Sequence, residues 1–466
     1  MNYVGTARPI HDAKGKATGY TKYAGDLSLP NMAYLCMLHS KIPHGYVKAV
    51  HAEKALALPG VYGVYHCLNT TDRRYNRYRS NFDQAYLPNE ECAFNDYVRF
   101  VGDKIGVVAA CDQETAERAA RLVEVEYEEL PFSIGFDDTL AGKNCLEGET
   151  PVRDEYTLEV GKKQESTEGL IEVCSTMELP RLHHATMETH ACIADYDPYI
   201  DMLTVYCPNQ AVHGIRTVLA DYLEMPESHV RVIKATMGGS FGAKQEWFLE
   251  PVAALVAKKL CCPVKLVYSR GEAMTDTIVR GAMRMSARGY YTPDGEMKEI
   301  YCDVTLDAGA YIGNAGDYIR ALAGKPTRCY RIPYMHYHGQ VISSNSPVSG
   351  AFRSWSAAEE ALMMERQIDA AAEKLGIDRL TIRLKNVAHA GEEDKKLHLS
   401  LEDIRIGDAI TLGSEKFGWD KLKAEDAAFN ASQQRYRRGV GIGIGGHGNT
   451  YFPRFNDYGE GSISLN

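Results

Sequence analysis

The stretch Val230-Arg231-Val232-Ile233-Lys234, followed after two residues by Met237-Gly238-Gly239-Ser240-Phe241-Gly242-Ala243-Lys244, decides the fold of this chain. Its first part is rich in β-branched residues, which is typical of a strand. Downstream, Val252, Leu255 and Val256 fall on one face of a helix. A glycine-rich loop between a strand and a helix can point its backbone N–H groups at an anion or a metal-oxo group. The alternative is a tight structural turn. Gln245 follows Lys244, so the loop is not a Walker phosphate loop.

The flanking sequence extends this pattern in both directions. It predicts strands at 191–195, 202–206 and 264–268, helices at 212–223 and Ala357–Leu375, and a Pro-Asp-Gly turn between two strands at 293–295. The buried stripe of the long helix is predicted to be Ala361, Met364, Ile368, Ala371 and Leu375, with Gly376 ending it. Mixed strand and helix signals of this kind predict an α+β fold.

The beginning of the chain predicts a separate α/β unit. A strand is expected to end at Ala110, Asp112 to cap a helix, and a second strand to run over 123–127. We therefore predict a first domain over 1–131, a linker over 132–170 and a second domain over 171–466. Gly439–Gly446 is strand-like, and the chain stops at Leu465-Asn466 as a further strand ends, which suggests an unfinished domain.

Composition narrows the class of protein. The 466 residues carry 52 Lys and Arg against 62 Asp and Glu, a net charge of −10, and no basic block. We therefore do not expect nucleic acid or anionic membranes as partners. No apolar run approaches the roughly 18 residues that span a bilayer, and the N-terminus lacks the pattern of a signal peptide. The 12 cysteines are scattered without a Cys-x-x-Cys pair, so a cytoplasmic protein without its own iron–sulfur cluster is expected.

Three isolated motifs favour structural roles over sites. Gly441-x-Gly443-x-x-Gly446 matches the dinucleotide fingerprint, but the residues from His447 to Pro453 cannot begin the required helix. The histidine-rich segment 183–190 lacks the helical spacing of a metal motif and is predicted to be extended. Arg353 lies in a loop beside aromatic residues, where a stacked surface guanidinium is the ordinary interpretation.

Taken together, many short segments occur in the order and spacing of the molybdenum-cofactor subunit of the xanthine dehydrogenase/aldehyde oxidase family, which the chain resembles. They are Lys16-Ala17-Thr18-Gly19, Pro43-His44, Leu58-Pro59-Gly60-Val61, Val101-Gly102-Asp103, Tyr127–Pro131, Met187-Glu188, Asn209-Gln210, Gly238–Lys244, Asp307–Tyr311, Gly350–Arg353, Leu375–Asp378 and Arg383–Asn386. The resemblance implies an N-terminal hammerhead α/β domain followed by the first part of a mixed α+β molybdenum-cofactor-binding domain.

This resemblance implies hydroxylation of a carbon atom with oxygen from water, the electrons leaving through iron–sulfur clusters to flavin. Gln210 would donate its amide to an oxo ligand of molybdenum. Gly239, Phe241 and Gly242 would line the metal, and Arg353 would face it from the other side, as a preorganised set of donors.

Two departures from the purine-hydroxylating members concern the substrate. Gln245 stands where those enzymes place a ring-contacting Glu, and the adjacent Glu246 is expected to point elsewhere. Trp355 is expected to offer an aromatic face to a flat substrate. Arg320 corresponds to a second purine-contacting arginine only with an inserted residue nearby. A purine-type heterocycle is the leading substrate, nicotinate or an aldehyde the alternative, and a non-catalytic binding or assembly subunit the alternative of another class.

The resemblance covers only the first half of the family's molybdenum subunit. The catalytic base, a Glu near the end of the full subunit, and most of the pterin-holding segments have no counterpart here. The resemblance therefore implies a second molybdenum-subunit polypeptide, an iron–sulfur subunit and an FAD subunit as partners. The cofactor would be molybdenum–molybdopterin, with its cytosine dinucleotide form as one alternative.

Overall fold

The computed structural model describes residues 4–78, 88–143, 146, 150–432 and 435–447. The strands are β1 (Ala33–His39), β2 (Gly45–His51), β3 (Val61–His66), β4 (Tyr97–Val98), β5 (Lys104–Ala110), β6 (Glu124–Glu129), β7 (Val152–Gly161), β8 (Ile171–Leu179), β9 (Ala191–Asp197), β10 (Met202–Cys207), β11 (Val230–Lys234), β12 (Val264–Val267), β13 (Ala282–Tyr291), β14 (Met297–Asp307), β15 (Tyr334–Ile342), β16 (Glu393–Asp394) and β17 (Leu399–Ser400).

Helices lie between these strands and after the last of them. They are α1 (Ala13–Ala17), α2 (Glu53–Leu56), α3 (Gln113–Ala120), α4 (Phe136–Leu140), α5 (Val212–Tyr222), α6 (Glu250–Leu260), α7 (Arg270–Asp276), α8 (Ala315–Ala323), α9 (Pro326–Cys329), α10 (Ala357–Leu375), α11 (Arg379–Asn386), α12 (Ile406–Phe417) and α13 (Trp419–Ser432). Within the described ranges, no helix is long and apolar enough to cross a membrane. The α+β class predicted from the sequence is confirmed.

A seven-stranded sheet in the order β11-β10-β9-β12-β1-β5-β3 joins the two parts of the chain. Strand β1 pairs in parallel with β12, Ala33 lying opposite Val264. Three strands from the predicted first domain therefore extend a sheet that belongs mainly to the second. Helix α6 packs on this sheet with every residue from Val252 to Ala257 buried. The strand order shows that the sheet continues across the predicted domain boundary near residue 131.

The second large sheet has five strands in the order β7-β15-β14-β13-β8. The predicted Pro-Asp-Gly turn connects β13 and β14, and Gly295 takes a φ of +90° there. Strand β7 pairs with β15 along its length. The prediction of a linker over 132–170 is therefore wrong for residues 152–161, because this polar-looking segment alternates in burial as an edge strand.

The strand–helix–strand prediction near the N-terminus is confirmed. The side chain of Asp112 accepts a hydrogen bond from the backbone N–H of Thr115, which caps α3. Strand β5 is fully buried, whereas β6 belongs to a separate three-stranded sheet with β2 and β4. The chain thus changes sheets across α3.

Helix α10 has the predicted bounds, but its buried face is rotated from the predicted stripe. Ala361 and Leu375 are only half-buried, while Met363 and Gln367 are fully buried. Gln367 donates to the backbone oxygen of Val173 at 2.9 Å, which satisfies its amide in the core. A hydrophobic pattern predicts a glutamine to be exposed, so the predicted buried face of α10 did not include Gln367.

The predicted strand at Gly439–Gly446 is wrong, because the structure assigns no strand to these residues. Ile442 and Ile444 instead pack as an irregular segment against the core beneath the five-stranded sheet. The dinucleotide-type glycines belong to this packing segment. The predicted strand near Leu465 lies outside the described residues.

Candidate functional site

The site begins at one edge of the seven-stranded sheet, where β10 and β11 end together. These strands pair in parallel, with Cys207 opposite Lys234, and α5 connects them. Parallel pairing brings both carboxyl ends to the same edge. Gln210 follows β10, and the loop 238–244 follows β11, so two predicted site segments meet for topological reasons.

Ser240 holds the side chain of Gln210. Its hydroxyl accepts a hydrogen bond from the backbone N–H of Lys244 at 3.1 Å and donates a short one to Gln210 Oε1. The backbone N–H of Gln210 donates to Lys244 O at 2.8 Å. Because the oxygen end of the amide is engaged, its NH₂ end is the part that remains to face an incoming group. Gln210 is exposed, as such a donor must be.

A buried ion pair clamps the loop from behind. Glu188 Oε2 lies 2.6 Å from Lys244 Nζ and accepts the backbone N–H of Gly238 at 2.7 Å. The Lys244 side chain is only 2% exposed. Burial lowers the pKa of Lys244, and its hydrogen bond to Glu188 opposes that shift. Lys244 therefore serves the loop as a structural anchor.

Three residues of the loop have positive φ angles, which residues with a side chain rarely adopt. Gly239 and Gly242 have φ values of +104° and +105°, and Phe241 has a φ of +56° with 54% of its surface exposed. A Cβ atom on Gly242 would lie 2.4 Å from the carbonyl oxygen of Ala351. The glycine is thus required both by its φ and by the close approach of the second loop.

The second loop, Gly350–Arg353, is held on both sides. His184 Nε2 donates to Ala351 O at 2.8 Å, and burial lowers the pKa of His184 to about 4, so its ring is neutral. Arg280 donates to Arg353 O at 2.9 Å and lies over the ring of Phe352 at 4.3 Å. The backbone of Arg353 is therefore fixed while its side chain is exposed.

Trp355 sits in a strained turn that leads into α10. Ser354, Trp355 and Ser356 all have positive φ, at +86°, +43° and +65°. Conformations of this kind persist only where the surroundings determine them. Lys325 Nζ supplies part of that restraint, through a short hydrogen bond to Trp355 O and one of 2.7 Å to Ser356 Oγ.

The Trp355 ring lies among other aromatic residues. Its centroid is 6.1 Å from that of Tyr78 in a stacked arrangement, and 5.3 Å from that of Tyr318. Tyr78 comes from the N-terminal part of the chain and Tyr318 from α8. The indole is therefore oriented by groups on two different elements.

The remaining predicted substrate contacts differ in their surroundings. Gln245 is half-buried and follows the loop directly, with its backbone N–H bonded to Gly242 O at 3.2 Å. Glu246 points into the interior, as expected, and accepts from Asn314 at 2.9 Å. Arg320 forms a two-pronged ion pair with Asp154 of β7, at 2.5 and 2.9 Å. These contacts of Arg320 are to the edge strand, and its assignment to substrate stays a prediction.

Two histidines of the segment 183–190 form hydrogen bonds to backbone oxygens. His190 Nε2 donates to Ala243 O at 2.9 Å and His183 contacts Ala273 O at 2.8 Å. Among the described residues, no group of three or more His, Cys, Asp or Glu could hold a metal ion. The roles of Ser240, Glu188 and Arg280 in shaping the loops were missed, because no local pattern indicates a partner that is distant in sequence.

Comparison with known proteins identifies the family to which the chain belongs. Residues 18–131 match the aldehyde oxidase and xanthine dehydrogenase a/b hammerhead domain, and residues 149–387, half of the chain, match the molybdopterin cofactor-binding domain. The chain belongs to the xanthine dehydrogenase/aldehyde oxidase family. The resemblance seen in the sequence is thereby confirmed.

Two relatives show how much of a family subunit the chain represents. It is 30% identical over 449 residues to the xanthine dehydrogenase molybdenum-binding subunit of Escherichia coli O157:H7, covering 92% of this chain and 58% of that protein. It is 31% identical over 384 residues to the nicotinate dehydrogenase large molybdopterin subunit of Eubacterium barkeri, covering 82% of this chain and 88% of that protein. The chain thus spans little more than half of one relative and most of the other.

Solved structures share the fold. Quinoline 2-oxidoreductase from Pseudomonas putida 86 superposes with a TM-score of 0.82 at 23% identity, over 92% of this chain and 56% of that one. Aldehyde oxidoreductase from Desulfovibrio gigas superposes with a TM-score of 0.83 at 23% identity, over 91% of this chain and 47% of that one.

The residues present suit the family's cofactor. The two loops and the segment after β10 offer an amide NH₂ on Gln210, the guanidinium of Arg353 and the backbone N–H of Gly242. These are donors to anionic oxygen atoms, not ligands to a bare metal ion. A molybdenum centre that is held by its own pterin and carries oxo groups is the kind of group they can receive.

Proposed function

We propose that this chain is the first half of the molybdenum-cofactor subunit of a hydroxylase that oxidises a heteroaromatic, purine-type substrate. The observation that supports this proposal is the backbone contact between the loop 238–244, which holds Gln210, and the loop 350–353, which ends at Arg353. When bound, the cofactor supplies the transfer of oxygen and electrons. The protein supplies binding, orientation and fixed hydrogen-bond donors.

Gln210 acts by presenting its amide in a fixed direction. Ser240 holds the oxygen of that amide, so the NH₂ group donates without first having to rotate into place. Arg353 donates from the opposite loop, where Arg280 fixes its backbone. Preorganised donors of this kind stabilise developing negative charge because they cost little reorganisation at the moment of reaction.

The proposed substrate class rests on Gln245 and Trp355. The amide of Gln245 can both donate to and accept from the edge of a nitrogen heterocycle. The Trp355 indole, supported by Tyr318 at 5.3 Å, offers an aromatic face to a flat ring. The proposal includes Arg320 as a substrate contact only if its ion pair with Asp154 opens.

Nicotinate is the second candidate substrate. It is favoured by the Eubacterium barkeri subunit, whose length this chain covers to 88%. Nicotinate is also a flat nitrogen heterocycle, and its carboxylate would form an ion pair with a cation such as Arg353. An aldehyde would use the aromatic face without the Gln245 contact.

We further propose that the active enzyme contains other polypeptides. A second molybdenum-subunit chain would supply the remaining cofactor-binding segments and the catalytic base Glu, for which the family resemblance finds no counterpart in this chain. Separate iron–sulfur and FAD subunits would receive the electrons. This view is supported by the chain's spanning 58% of the Escherichia coli subunit but most of the Eubacterium barkeri one.

The test is to purify the native complex under mild conditions, measure its molybdenum, pterin nucleotide, iron and flavin, and assay it with xanthine, hypoxanthine, nicotinate and an aromatic aldehyde. We expect molybdenum together with a partner of a few hundred residues, and turnover of a purine. Turnover of nicotinate or an aldehyde alone would overturn the purine assignment. A molybdenum-free complex without hydroxylase activity would support a binding or assembly role instead.

A further inference from the structure

A buried carboxyl group lies between the segments that carry the proposed donors. Glu246 is 1% exposed, immediately after Gln245. Its Oε1 accepts a hydrogen bond from Asn314 Nδ2 at 2.9 Å, just before α8. Its backbone oxygen accepts from Asn209 Nδ2 at 2.8 Å, next to Gln210. One residue therefore connects the start of α8 with both segments that follow β10 and β11.

The same carboxyl also supports the second loop. A Cβ atom on Gly350 would lie 2.6 Å from Glu246 Oε1, so the loop backbone passes directly over the carboxyl group. The next residue, Ala351, places its carbonyl oxygen beside Gly242 and accepts a hydrogen bond from His184. Glu246 therefore lies against the second loop one residue before that loop meets the first.

The charge state of this group fits a structural contact inside the protein. Burial raises the pKa of Glu246 to about 8, and the charge of Arg77 opposes the rise, while Glu91 adds to it. The group is therefore largely neutral at pH 7, which removes the cost of burying a charge. Asn314, which donates a hydrogen bond to the carboxyl group, is uncharged.

We propose that Glu246 is a positioning residue, which fixes the distance between the loop 238–244 and the loop 350–353 and so aligns Gln210 with Arg353. Its consequence for turnover rests on the proposed function, but its effect on the loop does not. The protein should hold residues 350–353 rigid in the absence of substrate.

Hydrogen–deuterium exchange of the native complex tests this directly. Glu246→Ala removes the carboxyl, and Glu246→Asp withdraws it by one methylene while leaving less of a cavity. Both should lower the protection of the 350–353 amides by about tenfold at pH 7, since the loop backbone loses the carboxyl group against which Gly350 lies. Glu246→Gln keeps an oxygen acceptor at the same place and should retain protection within about twofold.

Glu250→Ala is the matched control. Glu250 is also buried, and its Oε2 accepts from the backbone N–H of Phe248 at 3.1 Å, on the side of α6. This variant should lose stability without exposing 350–353. In the proposed enzyme, Glu246→Asp should lower kcat while molybdenum content and KM stay near wild type, and Glu246→Gln should restore kcat.

Unchanged exchange in both Glu246→Ala and Glu246→Asp would overturn the proposal. It would also fail if Glu250→Ala loosened the loop to the same extent, because the effect would then be general destabilisation. A further outcome is that the amide exchange of residues 350–353 changes as expected in the Glu246 variants of a complex that oxidises none of the substrates. That result would support Glu246 as a positioning residue and refute only the proposed function.

Discussion

The carbonyl oxygen of Ala351 occupies the space beside Gly242, 2.4 Å from the position that a Cβ atom would take. Two loops that are more than a hundred residues apart in sequence are therefore in direct backbone contact. No side chain can be added at this point without moving one of them. The relative position of Gln210 and Arg353 depends on this contact, because Gln210 is hydrogen-bonded to Ser240 and Lys244 of the first loop and Arg353 follows Ala351 by two residues.

Gly242→Ala should separate the loops. The substitution adds a clash with Ala351 O and a side chain at a φ of +105°, and we expect it to cost about 1–3 kcal/mol of folding free energy. Thermal denaturation and the molybdenum content of the purified complex measure the effect. Gly271→Ala in α7 is the control, since its nearest neighbour would be Ser269 Oγ at 3.9 Å. Equal stability and metal content in both variants would contradict this view of Gly242.

Gln210→Ala should leave the fold intact and lower turnover by about tenfold or more, as the loss of one preorganised donor does. Ser240→Ala should give a smaller loss, because the amide remains but loses its anchor. The control is Gln340→Ala, which breaks a similar amide–hydroxyl pair with Thr305 at 2.8 Å on the five-stranded sheet. Single-turnover rates per molybdenum give the comparison, and a wild-type rate for Gln210→Ala would remove this residue from the site.

Gln245→Glu tests the purine assignment. A carboxyl group in this half-buried position can hold a proton and bond a ring nitrogen, so turnover of xanthine should rise if the pocket is of the purine type. The measurement is kcat/KM for xanthine and nicotinate with both forms of the enzyme. No purine activity in either form, with nicotinate or an aldehyde oxidised, would show that the purine assignment is wrong.

Local signals in the sequence were sufficient for the elements that carry the site. Strand β11 and helix α10 have their predicted bounds because a β-branched run and a capped helical period are properties of short segments. The contact of Glu188 with Lys244 spans 56 residues, and that of His184 with Ala351 spans 167. No spacing rule encodes such pairs, and only the fold brings them together. The donors Gln210 and Arg353 could be predicted only from family resemblance, because alone each looks like an ordinary surface residue.

Glu246 should make stability depend on pH. Its folded-state pKa of about 8 exceeds the ordinary value of 4.5, so between these values the folded protein holds a proton that the unfolded chain releases. Its stabilising contribution is therefore complete below about pH 4.5 and is lost as pH rises toward 8, with a slope of at most about 1.4 kcal/mol per pH unit. Glu246→Gln cannot ionise and should remove this slope, which denaturant unfolding from pH 5 to 9 would measure as a difference from wild type. Glu415→Gln, on an exposed part of α12, should follow the wild-type curve. Parallel curves for wild type and Glu246→Gln would mean that the carboxyl does not titrate in this window.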